Sequence, residues 1–143
     1  MWFTLKEHGA RRLGAAIERN CDQARYLAAR VAATDGLELM APVSLNIVCF
    51  RFRQAGLSPA QLDPLNAEIV ADLQESGVAA PSTTTLGGRT AIRVCLTNHR
   101  TRVSDLDLLL EATITFAERR LSSSRRAATR QRRAADDRAE PSR

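Results

Sequence analysis

The sequence is poor in the side chains from which most catalytic sites are built. Its one lysine, Lys6, lies between Thr4-Leu5 and Glu7-His8 in the first turns of a helical stretch, the setting of a solvated amine and not of a desolvated nucleophile. His8 and His99 are the only histidines; neither has a second ligand at metal-binding spacing, and no CxxC pair occurs. A Gly-rich phosphate loop with a following lysine, a GxSxG elbow and an HExxH motif are all missing. Aromatic residues make up only 4% of the chain, too few to interleave with a basic nucleic-acid-binding surface. No apolar run approaches the roughly 20 residues that span a membrane, and no basic segment leads into an apolar stretch as in a secretory signal. The expectation is a cytoplasmic protein with no membrane partner, and with no catalytic, cofactor-binding or metal-binding residue of its own.

What is present fits one soluble domain. A chain of 143 residues can bury a modest core unaided, and 44% hydrophobic with 26% charged residues is ordinary for a globular protein. Cys21, Cys49 and Cys95 are odd in number and sit in apolar segments, the usage of buried thiols in a reducing compartment. The net charge of +5 is concentrated at one end: residues 121–143 hold seven arginines against Asp136, Asp137 and Glu140. That tail has no apolar periodicity and is expected to be disordered. With the body nearly neutral, a nucleic-acid partner is not expected.

Periodicity divides the rest into elements. Leu13, Ile17, Cys21, Ala24, Leu27, Ala28 and Val31 recur at steps of three and four, predicting one amphipathic helix from Thr4 to about Ala33, stopped by Thr34-Asp35-Gly36. Val43 to Phe52 reads as a strand with Val48, Phe50 and Phe52 on one face and Leu45, Ile47 and Cys49 on the other, so both faces are expected to be covered. Ser58-Pro59 opens a second helix, with Pro64 delaying its regular part to about Leu65 and Gly77 ending it. Two arms flank Leu86-Gly87-Gly88-Arg89 as a hairpin, the arm after Pro81 lying at an edge. A last helix, capped by Thr101 or Ser104, buries Val103, Leu106, Leu109, Leu110, Ile114 and Phe116 and runs to about Arg120. The fold class is α+β, a small sheet of about three strands covered by helices. Its parts are a long lead-in helix over residues 1–35, a small α+β domain over 36–120 and the tail over 121–143. The apolar surface exceeds what so small a sheet covers, and the chain opens on Met1-Trp2-Phe3, so a packing partner upstream is expected.

One charge stands inside an apolar strand. In TAIRVCLT, alternation puts Thr90, Ile92, Val94 and Leu96 on one face and Ala91, Arg93, Cys95 and Thr97 on the other. Small neighbours leave a floor on which the Arg93 guanidinium could meet an anion. An edge-strand arginine that simply reaches water is the alternative.

Several longer stretches carry a resemblance. WFTLKEHGARRLGAAIERN, LMAPVSLNIVCFRF, LNAEIVADLQESGVAAPSTTTLGGRTAIRVCLTNHRT and DLDLLLEA, in that order, resemble the C-terminal small domain of the group II pyridoxal-phosphate-dependent amino-acid decarboxylases. That family includes the aromatic-L-amino-acid, glutamate and histidine decarboxylases, and bacterial members of the aromatic or diaminobutyrate type are the most similar. The resemblance runs from Trp2 to about Phe116 and leaves out the basic tail. It implies the aspartate-aminotransferase-like (fold type I) architecture, in which a large domain binds the cofactor and forms most of a homodimer while a small domain packs above the active site. It also implies release of carbon dioxide from an L-amino acid, with pyridoxal phosphate as the electron sink. The Schiff-base lysine, the aspartate on the pyridine nitrogen and the ring-stacking residue belong to the large domain and have no counterpart here; Lys6 falls in the lead-in helix. The family's strand arginine matches Arg93, which the resemblance makes a contact of the substrate carboxylate, a task suited to a planar two-pronged cation. The chain alone is then expected to bind no cofactor and to be inactive without the missing large domain. The alternative is a non-enzymatic remnant or interaction module that binds a partner through the vacated large-domain interface or the basic tail.

Overall fold

The computed structural model describes residues 2–139 of the chain. Seven elements follow one another: α1 (Trp2–Ala32), β1 (Leu37–Leu39), β2 (Ile47–Phe52), α2 (Pro59–Glu75), β3 (Ser82–Leu86), β4 (Arg89–Cys95) and α3 (Val103–Ala139). The strands form one antiparallel sheet in the order β1-β2-β4-β3, so the fold is α+β with four strands where the sequence suggests about three. The added strand, β1, is three residues long and pairs Leu37 with Phe52 and Leu39 with Phe50. Gly87 and Gly88, both at positive φ, make the two-residue turn between β3 and β4.

The helices pack on one face of the sheet. Ala24, Leu27 and Val31 of α1, Leu62, Leu65, Ile69, Val70 and Leu73 of α2, and Leu106, Leu109, Leu110, Phe116 and Ala117 of α3 join Leu37, Val48, Phe50, Phe52, Ile92, Val94 and Leu96 in a single buried cluster. Every strand residue in that cluster points to the same side, the parity expected for β4. The expectation of cover on both sides of β2 fails. The strand expected from Val43 begins only at Ile47, so Leu45, 66% exposed, precedes it; Ile47 is 37% exposed and Cys49 is half-buried, because no element among the described residues lies over that face. Cys95 is exposed for the same reason, contrary to the expectation that all three thiols are buried.

Three helices also differ in detail. α1 is interrupted at Gly9, whose φ of 72° and ψ of 160° are not helical, so it is not one continuous rod. Its predicted stripe is buried only toward the C-terminal end, and Ile17 is 61% exposed. α2 begins at Pro59 and keeps Pro64 within it; the missing N–H removes one bond near the first turns, a tolerable place for it. α3 starts at Val103, itself exposed, and Asp105 caps it by accepting the Arg102 N–H at 2.9 Å. Beyond Arg120, where disorder is expected, α3 continues to Ala139. Neither glycine nor proline occurs between Val103 and Ala139, arginine and alanine are strong helix formers, and the Ser122, Ser123 and Ser124 hydroxyls turn back onto helix carbonyls. Residues 140–143 of the expected tail lie outside the described residues.

Polar side chains fix how the layers meet. β2 and β4 pair as far as Phe50 with Ile92; carried on, the register would set Arg51 against Ala91, and the next pair with backbone groups facing each other would be Phe52 with Thr90. There α2 intervenes. Buried Asn66 accepts the Phe52 N–H at 2.7 Å and donates to the Phe52 carbonyl at 3.0 Å and to the Leu62 carbonyl at 2.8 Å, while Asp63 accepts the Thr90 N–H at 2.9 Å. α3 is tied to α1 by the Tyr26 hydroxyl, which donates to Asp107 at 2.8 Å, and to α2 by Arg120, which holds Asp72 through bonds of 2.6 and 2.9 Å.

Replacing Asn66 with leucine strands the Phe52 N–H and carbonyl in the core. Unsatisfied buried groups cost about 1–3 kcal/mol each, so urea denaturation of Asn66→Leu should show a loss of roughly 2–5 kcal/mol. The Arg120 guanidinium holds the Asp72 carboxyl below the usual carboxylate range, chiefly through their hydrogen bonds. A lowered folded value contributes stability above the unfolded pKa of about 3.9 and loses it as pH falls through the folded value. Arg120→Gln should therefore weaken the fold at neutral pH and flatten the fall in stability below about pH 4. Thermal melts across the acid range check both effects.

Candidate functional site

The uncovered face of the sheet brings together the charges that sequence alternation hides. Arg93 lies in β4, between β2 and β3, so it is not an edge-strand residue. It pairs across the sheet with Cys49 on one side and Ser82 on the other, and Ala91 and Cys95 are its same-face neighbours along the strand. These are all small side chains, as the alternation predicts, and they leave the guanidinium exposed above them. Among the described residues no carboxylate lies within ion-pair distance of Arg93. Burial pushes the Cys49 thiol up in pKa, with Arg93 acting weakly in the opposite direction. At neutral pH Cys49 is therefore a neutral neighbour and not a counter-ion.

One row along the face is a group that sequence reasoning missed. Arg51 lies beside Ala91 in the β2–β4 register and opposite Glu38 of β1. Its side chain is only 8% exposed, and Nε donates to Glu38 Oε2 at 3.0 Å. The other Glu38 oxygen faces Arg89 NH1 at 3.9 Å. The buried NH1 of Arg51 has no hydrogen-bond partner. The signal was available: Arg51 has the same parity as Cys49, and an arginine within an apolar strand had already marked Arg93. The face thus carries Arg51, Arg89 and Arg93 against one carboxylate.

This surface can bind and orient an anion. It offers no amine for a covalent bond with an aldehyde cofactor, because the one lysine, Lys6, is on α1 ahead of the break at Gly9. No residue on the face is a phosphate-cradling glycine. The donors present suit a carboxylate, since a guanidinium meets one in plane with two parallel bonds. They do not by themselves fit pyridoxal phosphate.

No protein-family model matches the chain. It is 27% identical over 107 residues to the aromatic-L-amino-acid decarboxylase of Bacillus atrophaeus, covering 74% of this chain and 22% of that protein. It is 26% identical over 119 residues to the L-2,4-diaminobutyrate decarboxylase of Acinetobacter baumannii, covering 83% and 23%. Among solved structures, the glutamate decarboxylase domain of a diaminobutyrate-pyruvate transaminase and L-2,4-diaminobutyrate decarboxylase from Vibrio parahaemolyticus superposes with a TM-score of 0.74 at 26% identity, covering 82% of this chain and 25% of that one. Oryza sativa TDC with PLP and tryptamine superposes with a TM-score of 0.75 at 22% identity, a likeness of fold. The chain therefore spans about a quarter or less of the length of these proteins. In sequence and in fold, it corresponds to the C-terminal small-domain region of the group II pyridoxal-phosphate-dependent amino-acid decarboxylases.

Proposed function

We propose that this chain serves as the small-domain part of a pyridoxal-phosphate-dependent amino-acid decarboxylase, in which Arg93 binds the carboxylate of the L-amino acid substrate. The observation that carries this reading is the exposed Arg93 guanidinium, unpaired among the described residues, in the interior of an uncovered sheet face. Residues 1–35 act as the lead-in helix and residues 36–120 as the small domain. The cofactor, its lysine and the residues that read the substrate side chain belong to a large domain that closes over this face, in a cytoplasmic homodimer. An aromatic amino acid is the narrower reading, supported by the name of the Bacillus relative.

The chain's own contribution is orientation. Arg93 fixes a carboxylate in plane, and Ala91, Cys95 and Ser82 leave room for it. Arg51 and Arg89 share Glu38, so the neighbouring row keeps a positive balance that favours an anion. Alone, the chain is inactive. The exposed Leu45 and Ile47 favour a second reading for the isolated chain, in which the same surface binds a protein partner.

In an enzyme completed with a cofactor-binding large domain, Arg93→Lys should retain fold and cofactor and lower decarboxylation. Lysine keeps the charge and loses the planar pair of donors, worth about 1.5–3 kcal/mol or on the order of ten- to a hundredfold in rate. Normal turnover with unchanged substrate affinity in that variant would remove Arg93 from the site. Titration of the purified chain with pyridoxal phosphate, followed by borohydride trapping, should yield no stoichiometric adduct. A single adduct at Lys6 would show that the chain holds the cofactor unaided.

A further inference from the structure

Arg125, Arg126 and Arg130 of the α3 extension take no part in the core or in the carboxylate site. We propose that this extension, together with Arg53, is a docking surface for double-helical DNA, held through the phosphates without selection of bases.

Helical order makes the difference. At about 100° per residue, Arg119, Arg126 and Arg130 fall within an arc of roughly 40°, and Arg125 stands about 120° around from their centre line. All four are exposed. Arg119 stacks over the Phe116 ring at 5.1 Å, and none of the four has a carboxylate within ion-pair distance among the described residues. Arg120, held by Asp72 and Glu68, is not part of this set. A second element adds to the patch: Arg53, at the end of β2, lines a cleft of about 620 Å³ with Arg125 and Arg126. Asp35 and Glu118 line it too, so the charge balance there is positive by one and the excess lies outward along the helix.

The remaining chemistry selects the partner. Between Ser122 and Ala139 the only apolar residues are alanines, so the helix has no large apolar face to sink into a lipid surface. Arginines on two sides of a rod, lining only shallow clefts, suit phosphates on two walls better than one acidic peptide. A helix about 10–12 Å across fits a B-form major groove about 12 Å wide. Residues 119–130 contain no Asn, Gln or aromatic side chain, so the contacts are to the backbone and blind to sequence. A disordered tail poor in aromatics gave no reason to expect a nucleic acid. A continuous helix lines the charges up, and phosphate binding to a duplex needs no aromatic residue.

The test is fluorescence anisotropy of a labelled mixed-sequence duplex of about 20 base pairs, titrated with the full chain. Five phosphate contacts predict saturable binding that weakens by on the order of several hundredfold between about 50 and 200 mM salt. R125Q/R126Q/R130Q should bind at least about tenfold more weakly, with a log–log salt slope shallower by about three. A127P keeps every charge and breaks the helix, and it should lose affinity as well, with circular dichroism reporting the lost helix. R11Q/R12Q/R19Q, on α1, should bind like the unaltered chain. The proposal is overturned by absence of saturable binding at 50 mM salt, by full affinity in A127P, or by an equal loss in the α1 variant. Tighter binding to phosphatidylserine vesicles would assign the patch to a membrane, and duplex RNA bound as tightly as DNA would rule out major-groove docking.

Discussion

A single carboxamide decides where the sheet stops and the helical layer begins. At the level of Phe52 and Thr90 the ladder between β2 and β4 should continue, and there the Asn66 amide replaces the missing strand, satisfying both backbone groups of Phe52 with one side chain. An asparagine can do this because its amide copies the donor and acceptor of a peptide group. Asp63, one turn earlier on α2, takes the freed N–H of Thr90. β2 and β4 can therefore part without leaving unsatisfied polar groups in the core, and α2 is held in register with both. Everything packed on α2, including α3 through Arg120, inherits that register.

The one-sided sheet follows from the same arrangement. Three helices supply enough apolar surface for one face, and their cluster draws only on strand residues of one parity. The opposite face has a gradient of its own, from Ile47 at one end to Glu38, Arg51 and Arg89 at the other, with Arg93 between them. Arg51 is buried although its face is open. A long side chain lying along its neighbours can cover itself, and Glu38 offsets the charge.

Much of this was legible in the sequence, and the misses share a cause. The Gly87-Gly88 turn, the edge position of the arm after Pro81 and the parity of β4, which puts Arg93 on the face away from the core, follow from local geometry. Strand alternation says which residues share a face, but not whether anything covers that face, so Leu45, Ile47 and Cys49 read as core when they are not. β1 is too short to show a period and becomes a strand only because β2 lies beside it. The extension of α3 was misjudged for a related reason: lack of an apolar stripe predicts lack of packing, whereas helicity depends on propensity and on the absence of breakers. In the sequence Asn66 is one polar residue among others on a helix, and no local pattern distinguishes it from a solvated one.

The edges of the sheet have a consequence for how such a chain survives with a face uncovered. One edge, β1, offers three residues, and the other, β3, is the polar run Ser82-Thr83-Thr84-Thr85 entered through Pro81. Neither is a long apolar template on which a neighbouring chain could extend the ladder. Stacking face to face would instead bring Arg93 and Arg89 of one copy against the like charges of another. Fibrous growth is thus disfavoured both sideways and face-on, and the open surface stays available to an oxygen-rich partner instead of to its own copies.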